Sequence, residues 1–301
     1  MQRKRAQELR HFARSTRFMN KIKTGISANI RDIWGDECFT RLAGYGFDCL
    51  DYNMANTKKE PYTLDDEGFV AFLTKERALA DAAGITIWQV HGPWEGDFTD
   101  KTPDLREERM EKMTRSIRGA KILGAKYWVI HPIMPHGAYD LDSGLGDDTK
   151  KINLDFFKKL VKVAREEDIT ICLENMPFTR FSIATPDDVM KIVREINDDH
   201  FKMCLDTGHA NMFKEHAPGN VMRKWGEYIK VLHVHDNTGH RDDHRLPYYG
   251  TIDWADFKSS LKEAAFDGVI SLECAPRKAL PPHIFDAAYK LYSNLAKSLA
   301  E

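Results

Sequence analysis

The sequence predicts an α/β fold, a single (β/α)8 TIM barrel carrying a basic N-terminal extension. Three observations lead there. From residue 22 onward, short apolar runs alternate with amphipathic stretches, the pattern of βαβ units on a parallel sheet. Eight such units can be placed, the number that closes a barrel. Six consecutive strand runs also end on a side chain able to bind a divalent cation. These are His91 (WQVHGPW), His131 (WVIHPI), Glu174 (ICLENMP), Asp206 (CLDTGHAN), His235 (VLHVHDN) and Glu273 (ISLECAP). Closing the strands into a barrel brings those ends to one mouth, although they lie far apart in the chain.

The elements follow in order. Strands are expected near 22–28, 47–51, 85–91, 127–131, 169–174, 201–206, 230–235 and 269–273, and helices near 36–45, 66–83, 104–123, 150–167, 186–196, 218–227, 254–265 and 283–299. Gly84 after LADAA and Gly124 after AKIL suit left-handed helix C-caps. Thr185-Pro186 reads as an N-cap followed by proline at the first helical position. Residues 1–21, opening MQRKRAQELRHFARSTRFMN, lie outside the repeat; their charge suits a solvated helical arm or a partner contact. Residues 22–301 then form one barrel domain without linker or low-complexity tract. The longest irregular segment, 236–252, follows the seventh strand, and a loop of that length in a compact barrel is usually functional.

Composition narrows the class. With 301 residues and 42% hydrophobic content the chain can bury a large core. A formal charge of −2 gives no general field for polyanions. Five cysteines form no CxxC pair, and three sit in apolar strand runs, where free Cys acts as a small hydrophobe. No run is apolar for long enough to span a bilayer, and the N-terminus lacks a signal peptide's apolar stretch. A soluble, cytoplasmic protein is expected.

Glu174, Asp206, His235 and Glu273 form the strongest candidate metal set, because hard oxygen donors with one imidazole suit Mn, Mg, Co or Zn. No Arg or Lys lies in those strand ends to neutralise the carboxylates, and unpaired buried charge is costly. His233 is two residues before His235, so both side chains face one way, with His233 a layer deeper as a hydrogen-bonded interior residue. His209, three residues after Asp206, can return over the metal or a substrate hydroxyl through the Thr-Gly turn. His91 and His131 are candidates for substrate contact or a further metal. Trp94 and Trp34 could wall a sugar pocket. In the long loop, Arg241 can fork onto substrate oxygens, and Asp242 with His244 could serve a second metal.

At these residues the chain resembles the xylose-isomerase-like superfamily of TIM barrels, which includes sugar isomerases, ketose 3-epimerases, inosose dehydratases and apurinic endonucleases. The resemblance covers roughly residues 22–299 and is most specific in LENMP, CLDTGHAN, HVHDNTGHRDDHRLPYYGTIDW and SLECAP. Likeness to the epimerases implies one divalent metal on Glu174, Asp206, His235 and Glu273, with both glutamates doubling as acid and base. It also implies substrate contacts from His209 and Arg241. Where those epimerases carry a second glutamate six residues after the first, this chain has Arg180, which makes an acidic or differently oxidised substrate plausible. Likeness to the endonucleases implies up to three zinc ions on His91, His131, Glu174, Asp206, His209, His235, Asp242, His244 and Glu273. The acidic loop segments EGDFTD, YDLDSGLGDD and RDD speak against a DNA backbone at the mouth. Related barrels often form dimers or tetramers, so a homo-oligomer is implied by resemblance alone.

The expected activity is a metal-dependent isomerase or epimerase of carbohydrate metabolism, moving a proton through a metal-stabilised enediolate with Glu174 and Glu273 as acid and base. The same apparatus could run a dehydration. Expected partners are a small sugar or polyol, without nucleic acid or membrane. The lack of a glycine-rich cradle favours a non-phosphorylated substrate. The alternatives are an apurinic-endonuclease-type phosphodiesterase and a non-catalytic sugar-binding barrel.

Overall fold

Each short apolar run becomes a strand buried along most of its length, and the eight strands pair in parallel around an axis in a computed structural model. It describes residues 22–94, 100–276 and 279–301. The basic arm of residues 1–21 and most of the EGDFTD segment lie outside the described residues. The strands are β1 (Lys23–Ser27), β2 (Cys49–Asn53), β3 (Thr86–His91), β4 (Tyr127–Ile130), β5 (Thr170–Glu174), β6 (Phe201–Asp206), β7 (Ile229–His233) and β8 (Val269–Leu272). Their order is β7-β6-β5-β4-β3-β2-β1-β8. A bridge between Val234 and Leu272 brings the two ends together, with Val234 N donating to Ser271 O at 2.8 Å and Glu273 N to Val234 O at 3.0 Å. The expected (β/α)8 barrel is thereby realised.

The covering helices are α1 (Cys38–Tyr45), α2 (Asp66–Ala83), α3 (Pro103–Leu123), α4 (Gly146–Glu166), α5 (Pro186–Ile196), α6 (Pro218–Trp225), α7 (Trp254–Glu263) and α8 (Pro282–Ala300). Gly84 and Gly124 take φ of 72° and 75° and close α2 and α3 as left-handed caps. Thr185 begins α5 in a reciprocal capping box with Asp188, an arrangement worth about 1 kcal/mol. Helix α4 starts four residues earlier than its apolar period indicates. Its first turn holds Asp147 and Asp148, which favour the positive end of the helix dipole without adding to the apolar stripe.

One apolar cluster fills the space between sheet and helices, from Ile26 and Phe39 to Phe257 and Leu272. A smaller one, Tyr127, Val129, Cys172, Cys204 and Val231, plugs the barrel interior. Above that plug the interior becomes polar, and the candidate site begins there. All five cysteines are buried and free. No described helix is long and apolar enough to cross a membrane.

Candidate metal centre

Parallel strands fix the depth of every side chain at their ends. Glu174 ends β5 and Asp206 ends β6, both fully buried. His131, His235 and Glu273 lie one or two residues past their strands, because the ladders stop at Ile130, His233 and Leu272. Asn175, the residue after Glu174, ties β5 to β6: its Nδ2 donates to Asp206 O at 3.0 Å, and Asp206 N donates to its Oδ1 at 2.9 Å.

The candidate residues gather into overlapping sets of donor atoms, with His91 also meeting His233 and Glu273, and these sets occupy three adjoining regions. Glu174, Asp206, His233 and Glu273 form an inner group; His91 and His131 meet Glu174 on one side; His209, His235, Asp242 and His244 form an outer group. The deeper histidine of the HVH pair, His233, therefore stands among the carboxylates expected around His235. Its Nδ1 lies 2.9 Å from Glu174 Oε1 and 3.1 Å from Glu273 Oε2. His235 turns to the outer group while keeping its Nε2 3.0 Å from Asp206. Side-chain alternation put both rings on one face, but where β7 ends decides which ring meets which acid.

Helical structure delivers His209. The expected Thr-Gly turn is the first turn of a short helix, Thr207–Asn211, capped by Asp206, whose side chain accepts from His209 N at 2.6 Å. Glycine is required at position 208, since a Cβ there would lie 2.0 Å from His235 Cε1. The outer group hangs on the long loop, and Asp236 pins that loop. Its buried carboxylate accepts from Asn237 N, Gly250 N, Ile252 N and Trp254 Nε1 at 2.8–3.3 Å. Asp242 Oδ2 then sits 3.3 Å from Nε2 of both His209 and His244.

Ring orientation follows a common rule. A carbonyl only accepts, so a ring nitrogen bonded to one carries the proton. Nδ1 of His91, His209 and His244 donates to the carbonyl of Gly92, Asn175 and Glu273 at 3.0, 2.8 and 2.7 Å. Each ring therefore turns Nε2 toward the acids.

Electrostatics keeps the acids charged. Burial pushes the Glu174 carboxyl up, but His233, His131 and His91 outweigh it and hold it well below the carboxylate range. Asp206 and Asp242 are likewise lowered against burial by His209 with His235, and by His209 with His244. Burial opposes charge on His209 and His244, yet the surrounding acids raise them to about 10 and about 9. Burial wins at His131, which is lowered. Among the described residues, no lysine or arginine pairs with Glu174, Asp206, Asp242 or Glu273.

Glu174 Oε2, Glu273 Oε2, Asp242 Oδ1 and His91 Nε2 are buried without a hydrogen bond. Unpartnered acids and an imidazole nitrogen converging on one mouth are what a divalent cation satisfies, so the donor set fits such an ion.

Other expectations fare differently. Trp94, 43% exposed, places its ring 5.3 Å from that of His131, at the mouth. Trp34 packs among Tyr45, Phe285 and Tyr289 between α1 and α8, so it walls no pocket at this site. Arg241 is 85% exposed and pairs with Asp243 rather than facing the acids. Arg180 makes a forked, solvent-exposed pair with Asp142 at 2.9–3.0 Å. Several of the described loop acids are already partnered. Asp140 is buried on Ser182, Asp148 pairs with His136, and Asp243 pairs with Arg241 and Arg245. Sequence reading passed over Asp51, Asn175 and Asp236. A lone Asp within the apolar run CLDYN was the available signal for the first.

The family model for the xylose isomerase-like TIM barrel matches residues 39–292. The chain belongs to that family. It is 32% identical over 192 residues to an uncharacterised protein, MJ1311, of Methanocaldococcus jannaschii, covering 61% of this chain and 63% of the relative, which is under two thirds of that protein's length. It is 27% identical over 247 residues to a probable endonuclease 4 of Metamycoplasma arthritidis, covering 77% of this chain and 82% of the relative. Among solved structures, a D-tagatose 3-epimerase-like protein superposes with a TM-score of 0.69 at 25% identity, covering 92% of this chain and 99% of that one.

Proposed function

We propose that the protein is a metal-dependent isomerase or epimerase acting on a sugar or a closely related polyhydroxy compound. The observation that carries this reading is the meeting of Glu174 and Glu273 at His233 Nδ1, with Glu174 Oε2 and Glu273 Oε2 both lacking a hydrogen bond. Moving a proton from one face of a carbon to the other takes an acid and a base on opposite sides, and two carboxylates at one centre can supply them. Glu174, Asp206, His233 and Glu273 would hold the ion, with His235 on the far side of Asp206. A divalent ion there polarises a carbonyl and steadies developing negative charge on oxygen, worth several kcal/mol.

Glu174 is ionised at neutral pH and fully buried, which suits a base taking the proton beside a carbonyl. Glu273, 20% exposed, returns a proton and exchanges it with solvent. Trp94 offers its ring to the C–H face of a sugar beside His131. Deuterium uptake from D2O across a panel of ketoses tests the reading. Uptake that vanishes in Glu174→Gln and Glu273→Gln supports it; equal uptake in both variants defeats it.

A second reading is favoured by the three adjoining donor groups and by the endonuclease-named relative. Two or three ions suit hydrolysis of a phosphodiester, where separate cations steady attacking and leaving oxygens. Metal count per chain, taken with cleavage of an abasic duplex, separates the two. One ion without cleavage leaves the isomerase reading; three ions with cleavage replace it.

A further inference from the structure

Asp51 belongs to β2, a strand that contributes none of the donors described above. Its side chain is fully buried. Oδ2 accepts from Gln89 Nε2 at 2.9 Å, and His233 Nε2 lies 2.9 Å from the same oxygen. Among the described residues no lysine or arginine reaches it, so the ring N–H of His233 and the amide of Gln89 are what satisfy it. A buried carboxylate without such partners would be costly.

His233 is anchored in the opposite sense to its neighbours. His91, His209 and His244 hold Nδ1 on a backbone carbonyl and turn Nε2 inward. His233 holds Nε2 on a carboxylate and turns Nδ1 between Glu174 and Glu273. A carboxylate and a carbonyl both accept, so both decide which nitrogen keeps the proton. The carboxylate also carries charge, which makes the far nitrogen a stronger donor. Gln89 limits the rotation of that carboxylate by bonding the same oxygen.

We infer that Asp51 is a positioning residue for the inner group: it holds His233 by Nε2–H so that the Nδ1 lone pair is aimed at a divalent cation between Glu174 and Glu273. The inference rests on reading the barrel mouth as a metal site and adds to it a residue from outside the donor set.

The test is titration of Co²⁺ alone into the metal-stripped full chain, following affinity and the visible absorption band, with the denaturation midpoint of the metal-free protein as a fold control. Asp51→Asn should weaken one site by about 10- to 100-fold and shift its band. A wild type that binds Co²⁺ beside an Asp51→Asn variant with the same affinity and band overturns the inference and leaves the metal-site reading standing. So does a variant whose midpoint falls while affinity and band stay fixed, since Asp51 would then serve folding only. A wild type that takes up no Co²⁺ overturns the metal-site reading, and the inference with it. Should Asp51→Asn fail to fold, Gln89→Leu frees the same carboxylate from one side. It should weaken the site by about tenfold or less with a band shift; an unchanged site overturns the inference.

Discussion

The inner group and the outer group draw on similar side chains but are held by different means. Glu174 and Asp206 end strands, and His233 and Glu273 lie at or one residue past a strand end, so the sheet ladders dictate their spacing. Asp242 and His244 sit on a loop whose shape depends on the buried carboxylate of Asp236. Groups set by ladders have little room to move. Groups set by one anchor are adjustable, and a single substitution can release them. Under the proposed function the inner group would be the chemical centre, and the outer group would be where specificity and ion number vary.

The largest effect should come from Glu174→Gln, because this carboxylate serves both the inner group and the His91–His131 side. Proton exchange into substrate should fall by about 10²- to 10⁴-fold, read by NMR in D2O. If the loss is smaller than for Asp242→Asn, the ranking of the two groups is reversed. Asp236→Ala comes next. It leaves several buried N–H donors without an acceptor, at about 1–3 kcal/mol, visible as a lower denaturation midpoint. It should also empty the outer group of metal while the inner group keeps its ion, as counted by elemental analysis.

A smaller effect concerns pH in the metal-free protein. His209 and His244 are raised from 6.5 to about 10 and about 9 by the acids around them. A raised imidazole pKa favours the folded chain while the ring is charged. That stabilisation is complete below about pH 6.5 and is lost as pH climbs through 9 and 10. Denaturant midpoints measured between pH 6 and 10 should fall at the alkaline end, and His244→Ala should flatten the curve. The smallest effect should belong to Arg241→Ala. An exposed arginine whose contact with half-buried Asp243 is 3.4 Å long, and whose partner keeps Arg245, should change stability by less than about 0.5 kcal/mol. A large loss of activity in that variant would show that the loop turns the guanidinium inward when substrate binds.

How much was legible in the sequence follows the same division. The barrel and the convergence of His91, His131, Glu174, Asp206 and Glu273 were readable, because short apolar runs ending on polar residues encode both strand and depth. The roles of His233 and His235 were not, since both point inward and only the end of β7 separates them. Asp51 was hidden because its partner, His233, lies across the barrel, and no local pattern marks a contact between β2 and β7. What Arg241, Arg180 and the acidic loops face was not legible for another reason. Composition reports charge, while hydrogen bonding and ion pairing decide whether that charge faces a ligand.

Closure between β7 and β8 rests on one bridge and two backbone hydrogen bonds, fewer than any other neighbouring pair of strands. His233 stands on one side of that seam and Glu273 on the other, only 3.1 Å apart. An ion gripped by both would act as a rivet where the cylinder is least stitched. Filling the centre would then tighten the wall itself, so that cofactor loading and mechanical integrity of the barrel become one property.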